Sequence, residues 1–167
     1  LVPPQVELAS SLMMQNIGRH YVRYFDYKYR RTGTLWEGRY KSCLVASDNY
    51  LICCYRYIEL NPVRAKMVDD PEKYHWSSYQ CNAIGKQSDL ITFHANYLGL
   101  ADTAKKRRLK YRSLFKDAME QELLTELRES TNKNMAFGSE KFKDEVEACQ
   151  QRRLRPKLPG RPSQKIS

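Results

Sequence analysis

Between Leu8 and Phe25 apolar side chains return every three or four positions, at Leu8, Leu12, Met13, Ile17, Tyr21, Tyr24 and Phe25. That is the period of an α-helix and of no strand. The spacing predicts one helix over 6–29, a rod of about 36 Å at 1.5 Å per residue. A rod that long spans a small domain, so the other elements must pack along it or elsewhere without it. Arg19, Arg23, Lys28, Arg30 and Arg31 crowd its end, where unpaired carbonyls favour cations. Gly33 is the predicted stop.

Shorter signals follow. Residues 34–41 form an aromatic-basic loop, and 42–46, holding Leu44 and Val45, are long enough for one strand. Without neighbouring strands that segment would be an orphan edge, prone to self-association. Ser47 or Asp48 can cap a helix over 49–60, which should end before Pro62 because the residue preceding proline avoids the helical region. Residues 63–79 read as compact connecting structure, and 85–89 as a polar break and internal boundary. Helical patterns then cover 92–99, 103–115, 119–130 and 139–149, the last capped by Ser139 ahead of Phe142, Val146 and Cys149. Residues 151–167 carry six cations, three prolines and no acid, a composition that predicts a disordered basic tail. The organisation is thus 1–85, 86–150 and a tail at 151–167, mostly α, with no internal repeat.

With 41% hydrophobic residues in 167 the chain can bury a core. No apolar run approaches the roughly 18 residues of a spanning helix, so no membrane partner is expected. The first residues show neither a basic nor an apolar targeting region. Cys43, Cys53, Cys54, Cys81 and Cys149 form no C-x-x-C and are expected to behave as small buried hydrophobes in a reducing, cytoplasmic setting. His20, His75 and His94 are isolated, with neither H-x-H nor H-E-x-x-H spacing. No phosphate-binding glycine loop is present, so no nucleotide cofactor is expected. Neither a hydrolase elbow nor a deaminase signature occurs.

The net charge of +10 points to a polyanionic partner. Over 19–41 seven cations face two acids, interleaved with Tyr21, Tyr24, Phe25, Tyr27, Tyr29, Trp36 and Tyr40. Cations neutralise phosphates while aromatic faces stack on unpaired bases at about 1–3 kcal/mol each. The same spacing also suits tyrosines as helix core and bases as a solvated face, and about half the aromatics are expected to be core. In the next helix Leu51, Cys54, Tyr55 and Ile58 are expected on an apolar face. Tyr50, Tyr57 and Asn61 share another face. There a phenol beside an amide oxygen could be a nucleophile next to a metal ligand, or simply packing; spacing alone favours packing.

Several strings carry a resemblance. Tyr21-Val22-Arg23-Tyr24-Phe25, Arg31-Thr32-Gly33-Thr34-Leu35-Trp36-Glu37-Gly38-Arg39-Tyr40-Lys41-Ser42, Arg56-Tyr57-Ile58-Glu59-Leu60-Asn61-Pro62-Val63-Arg64-Ala65 and Trp76-Ser77-Ser78-Tyr79 together resemble the REP-associated tyrosine transposases. These are bacterial members of the HUH group, related to the IS200/IS605 transposases. Asn96-Tyr97-Leu98, 137–142 and 159–162 are similar to that family's C-terminal extension. The resemblance implies an α+β fold, here the C-terminal portion of a ferredoxin-like core followed by a helical extension. It implies cleavage and rejoining of single-stranded DNA at palindromic repeats, through a 5′-phosphotyrosine intermediate that leaves a free 3′-hydroxyl. It places the nucleophile at Tyr57 and a ligand for Mg²⁺ or Mn²⁺ at Asn61. A phenol with a pKa near 10 needs such help, and i,i+4 spacing sets the two groups side by side.

One departure is concrete. The family's His-hydrophobic-His pair lies upstream of the long helix, and no H-x-H occurs in this sequence. The expectation is a truncated chain that lacks the first strands, binds metal weakly and cleaves inefficiently. Two readings follow. One is an impaired transposase using Tyr57 and Asn61. The other is a non-catalytic module that binds single-stranded or hairpin DNA through Arg19, Arg23, Arg30, Arg31, Trp36, Arg39, Lys41, Arg64 and the tail, in the cytoplasm and associated with the nucleoid. In the tail, Gly160-Arg161-Pro162 resembles an AT-hook core, and a plain solvated tail is the simpler reading of that stretch.

Overall fold

The computed structural model describes residues 1–3, 6–46, 49–151 and 153–155. Contacts divide the chain into two units, Leu1–Lys41 and Ser42–Ser167. In the first, helix α1 spans Ala9–Tyr29. It stops earlier than Gly33: Arg30 takes the left-handed conformation at φ 49°, and its N–H donates to the Asp26 carbonyl. None of its residues is buried. The expectation that half the aromatics form core fails there, because one helix and a loop supply no second layer to close over them. The rings instead pack along the helix, with Phe25 and Tyr29 centroids 4.5 Å apart.

The second unit is mostly helical with a small parallel sheet. Strand β1 (Leu44–Val45) pairs with β2 (Ala136–Phe137) in the register Leu44 to Ala136 and Val45 to Phe137. The strand expected to be an orphan edge is therefore paired, by a partner more than 90 residues away in the same sequence. Parallel pairing requires a long crossover, and the helices between the strands provide it. Gly138 lets the sheet end close up: a Cβ there would lie 2.8 Å from the Ala46 Cβ and 2.5 Å from the Phe142 ring.

Helix α2 (Asn49–Arg64) runs through Pro62, beyond the predicted end at 60. Proline in the last turn forfeits one backbone bond, and the Arg64 guanidinium caps the nearby Tyr57 carbonyl. The candidate cap at Ser47 or Asp48 lies outside the described residues. The buried face holds Leu51, Cys54, Glu59 and Pro62, whereas Ile58 is 40% exposed. Leu51 and Cys54 are thus buried as expected and Tyr55 packs against the core, while Ile58 is not buried and the carboxylate of Glu59 is.

Glu59 is fully buried. Its Oε1 accepts from Ser78 Oγ at 2.6 Å and Asn82 Nδ2 at 2.8 Å, and its Oε2 accepts from the Tyr111 hydroxyl at 2.8 Å. Burial pushes its pKa up, and these three donors pull it back. Around it, Tyr79, Ala83, Tyr97 and Tyr111 form one core cluster. It is built from a π-helical turn (Gln80–Ile84), α3 (Ala95–Leu98) and α4 (Ala104–Ser113). Cys54, Leu127 and Phe137 form another, joining α2, β2 and α5 (Gln121–Asn132). Burial raises the thiol pKa of Cys54 to about 12 and of Cys43 to about 11, and Cys81 is buried too, as expected of inert packing cysteines. Cys149 is exposed, against that expectation.

Helix α6 (Glu140–Gln150) starts at Ser139, whose Oγ accepts from the Phe142 N–H at 3.2 Å. Beyond it Leu154 is 3% exposed, its N–H donating to Glu147 at 2.6 Å, and Arg155 pairs with Asp144 at 2.5 Å. The stretch read as free tail is therefore anchored at 153–155.

Candidate nucleic-acid interface

Each unit carries part of the sequence-derived site. In the first, the side chains of Arg19, Arg23, Arg30 and Arg39 are exposed, and none bonds to another described residue. Arg31 lies over the Phe25 ring at 5.7 Å. Lys41 is exposed. Trp36 is 53% exposed and leans on Tyr21 with centroids 5.7 Å apart. Lys28 donates to the Tyr24 hydroxyl at 3.0 Å, an interaction that raises its pKa. The loop glycines Gly33 and Gly38 adopt φ values of 106° and 79°, a turn chemistry that only glycine meets without strain. This surface alternates cations and aromatic faces, with no buried layer beneath it.

In the second unit Tyr57 is half-buried against the Cys54, Leu127 and Phe137 cluster. Its hydroxyl makes no hydrogen bond to a described residue. Arg64 lies over its ring with the guanidinium carbon 4.5 Å from the centroid, and Arg128 of α5 lies 6.0 Å away. Arg64 is also tied to the end of its own helix. It donates to the Tyr57 carbonyl and to Asn61 Oδ1 at 2.6 Å. Burial lowers its pKa, and the Arg128 charge adds to that shift; it remains a cation. Tyr50, which shares the face, packs edge-on to Phe137 at 5.0 Å.

The metal implied by the resemblance can be tested on these atoms. The Asn61 oxygen already faces a guanidinium at hydrogen-bond distance, and a dication placed on it would be repelled. Among the described residues no three His, Cys, Asp or Glu converge. The histidines are apart: His94 Nδ1 caps α3 through the Asn96 N–H at 3.2 Å, and His75 stands edge-on to Trp76. The donors around Tyr57 and Asn61, among the described residues, do not fit a divalent metal.

Two features escaped the sequence reading. Arg128 comes from a helix 71 positions after Tyr57, and nothing in its local pattern marks it. Helix α4 holds Lys105, Lys106, Arg107, Arg108, Lys110 and Arg112 with no acid, and that basic stretch was legible. Arg161 lies outside the described residues. No helix among the described residues is long and apolar enough to cross a membrane. Comparison with protein-family models, curated proteins and solved structures finds no match for this chain.

Proposed function

We propose that this chain binds single-stranded or hairpin DNA, in the manner of the tyrosine transposases its motifs resemble, with a backbone phosphate over Tyr57. The supporting observation is a phenol hydroxyl with no hydrogen bond to a described residue, on a ring within 6.0 Å of both the Arg64 and Arg128 guanidiniums. Two cations at one aromatic ring suit a phosphate, whose charge they offset. The exposed arginines and Trp36 of the first unit supply further phosphate and base contacts. In the covalent form of this reading the Tyr57 oxygen bonds to phosphorus as the P–O3′ bond breaks. The phenol proton passes to solvent and the departing 3′-oxygen takes up a proton.

A second reading, a non-catalytic module, is favoured by Asn61 being held by Arg64 rather than free to ligate. One experiment separates them. The chain is incubated with a palindrome-bearing single-stranded oligonucleotide, with and without Mn²⁺. A covalent adduct lost in Tyr57→Phe supports strand transfer. Salt-sensitive binding without adduct, unchanged in Tyr57→Phe, supports the module. With about five phosphates contacted, log K falls against log salt with a slope near −3.5. A flat salt response overturns both.

A further inference from the structure

We propose that the cavity between the π-helical turn, the loop that follows it and α4 is a nucleotide-binding site, taking an aromatic base and its phosphate together. The cavity measures about 320 Å³, within the range of small-ligand sites, about 300–1,000 Å³. It lies wholly inside the second unit, uses neither Tyr57 nor Arg64, and stands whether or not the reading above holds.

Its aromatic wall is a two-ring stack. Phe93 and Tyr97 lie with centroids 4.9 Å apart and planes at 23°. Tyr97 is 2% exposed and fixed from behind, its hydroxyl donating to the Asn82 carbonyl at 2.7 Å. Arg107 lies over the Tyr97 ring, 5.7 Å from its centroid, while donating to the Leu98 and Ala101 carbonyls. Phe93 is 42% exposed, so the outer layer of an anchored stack is open to a third ring. A base placed there adds a stacking contact without ordering anything new.

The anion subsite is beside it. Arg108 lines the cavity half-buried, and its side chain makes no hydrogen bond or ion pair with another described residue. It rests where a side chain at Gly85 would be, since a Cβ there would come within 2.4 Å of the Arg108 guanidinium nitrogen. Gly85 at φ 90° therefore both turns the loop and makes room for the cation. Lys86 adds a second charge at the rim and Arg107 a third, against Asp89 alone among the lining acids. An apolar ligand leaves the arginine unanswered, and a simple anion leaves the ring face bare. A nucleotide meets both.

The ligand can be a free mononucleotide or an unpaired nucleotide within a strand. Calorimetric titration of the full chain with dAMP, inorganic phosphate and the tetranucleotide d(A)4 tests the site and its source. The variants are Phe93→Ala, Arg108→Gln and Phe93→Trp, each checked for folding by circular dichroism and thermal melting. Expected is saturable dAMP binding, weakened about tenfold by Phe93→Ala and by Arg108→Gln, and retained by Phe93→Trp. If d(A)4 weakens in parallel, the source is a strand; if only dAMP weakens, it is a free nucleotide, and either result supports the site. Phosphate binding as tightly as dAMP, or dAMP affinity unchanged in both loss variants, overturns it.

Discussion

Tyr27 of α1 is 88% exposed and Tyr111 of α4 is fully buried, yet both sit on basic helices amid similar neighbours. The two regions treat one residue type in opposite ways. In the first unit no side chain of α1 is buried, and the rings meet other rings, Lys28, Arg31 and the Ser11 hydroxyl at the surface. In the second, Tyr111 reaches a carboxylate that reaches two more side chains, and the network sits inside a buried cluster. The difference teaches that an aromatic period identifies a helix but leaves its burial open. Tyr111 and Tyr97 go inside where Glu59 and the Asn82 carbonyl accept from their hydroxyls, and Tyr79 goes inside by packing against Phe115. Tyr24 and Tyr40 have hydroxyl partners and stay at the surface, because one helix and a loop supply no layer to close over them.

The contrast can be broken at its strongest point. Glu59→Ala leaves the donors of Ser78, Asn82 and Tyr111 without an acceptor in a buried site. At about 1–3 kcal/mol for each unsatisfied group, the expected loss is about 3 kcal/mol or more, read from urea unfolding. A loss below about 1 kcal/mol would show that water reaches the network and that the two regions differ less than the geometry states.

A smaller, directional effect sharpens it. The folded pKa of Glu59 is raised above its ordinary 4.5, so between the unfolded and folded values the native state holds more protons than the unfolded one. Its contribution to stability is therefore greatest below about pH 4.5 and falls as pH rises through the folded value, then levels off. Glu59→Gln should remove that part of the pH dependence of the urea midpoint. The exposed Glu140, held below its usual range by Lys143, contributes with the opposite sign, lost as pH falls. A midpoint whose pH dependence is the same in Glu59→Gln would sink the assignment.

The smallest effect lies in the first unit. Tyr27→Ala removes a ring that is 88% exposed, and thermal unfolding should shift by no more than about 0.5 kcal/mol. A larger loss would mean that α1 is covered in solution, and would erase the distinction drawn between the regions.

Much of the architecture was legible. The three-four period placed α1, and the Ser139 cap placed the start of α6, because both signals are local. The end of α2 was misread at Pro62, because the helix continues to Arg64 despite the backbone bond that proline cannot donate. The buried face of α2 was misread at Ile58 and Glu59, because a carboxylate is normally a surface residue. Its acceptors became useful only once Ser78, Asn82 and Tyr111 arrived from later in the chain. The i,i+4 spacing put Tyr57 and Asn61 on one face and by itself favoured packing, and only the resemblance implied roles for them; the arginine that occupies the Asn61 oxygen, and Arg128 near the Tyr57 ring, came from the fold.

By itself the sequence determined where helices run, that the chain is strongly basic, and that no stretch suits a membrane span. These follow from period, cap and composition, which act over a few residues. Only the tertiary structure decided the pairing of β1 with β2, the burial of Glu59, the approach of Arg128 to Tyr57 and the cavity beside Arg108. Each depends on groups tens of residues apart, brought together because desolvated polar atoms must find partners wherever packing places them.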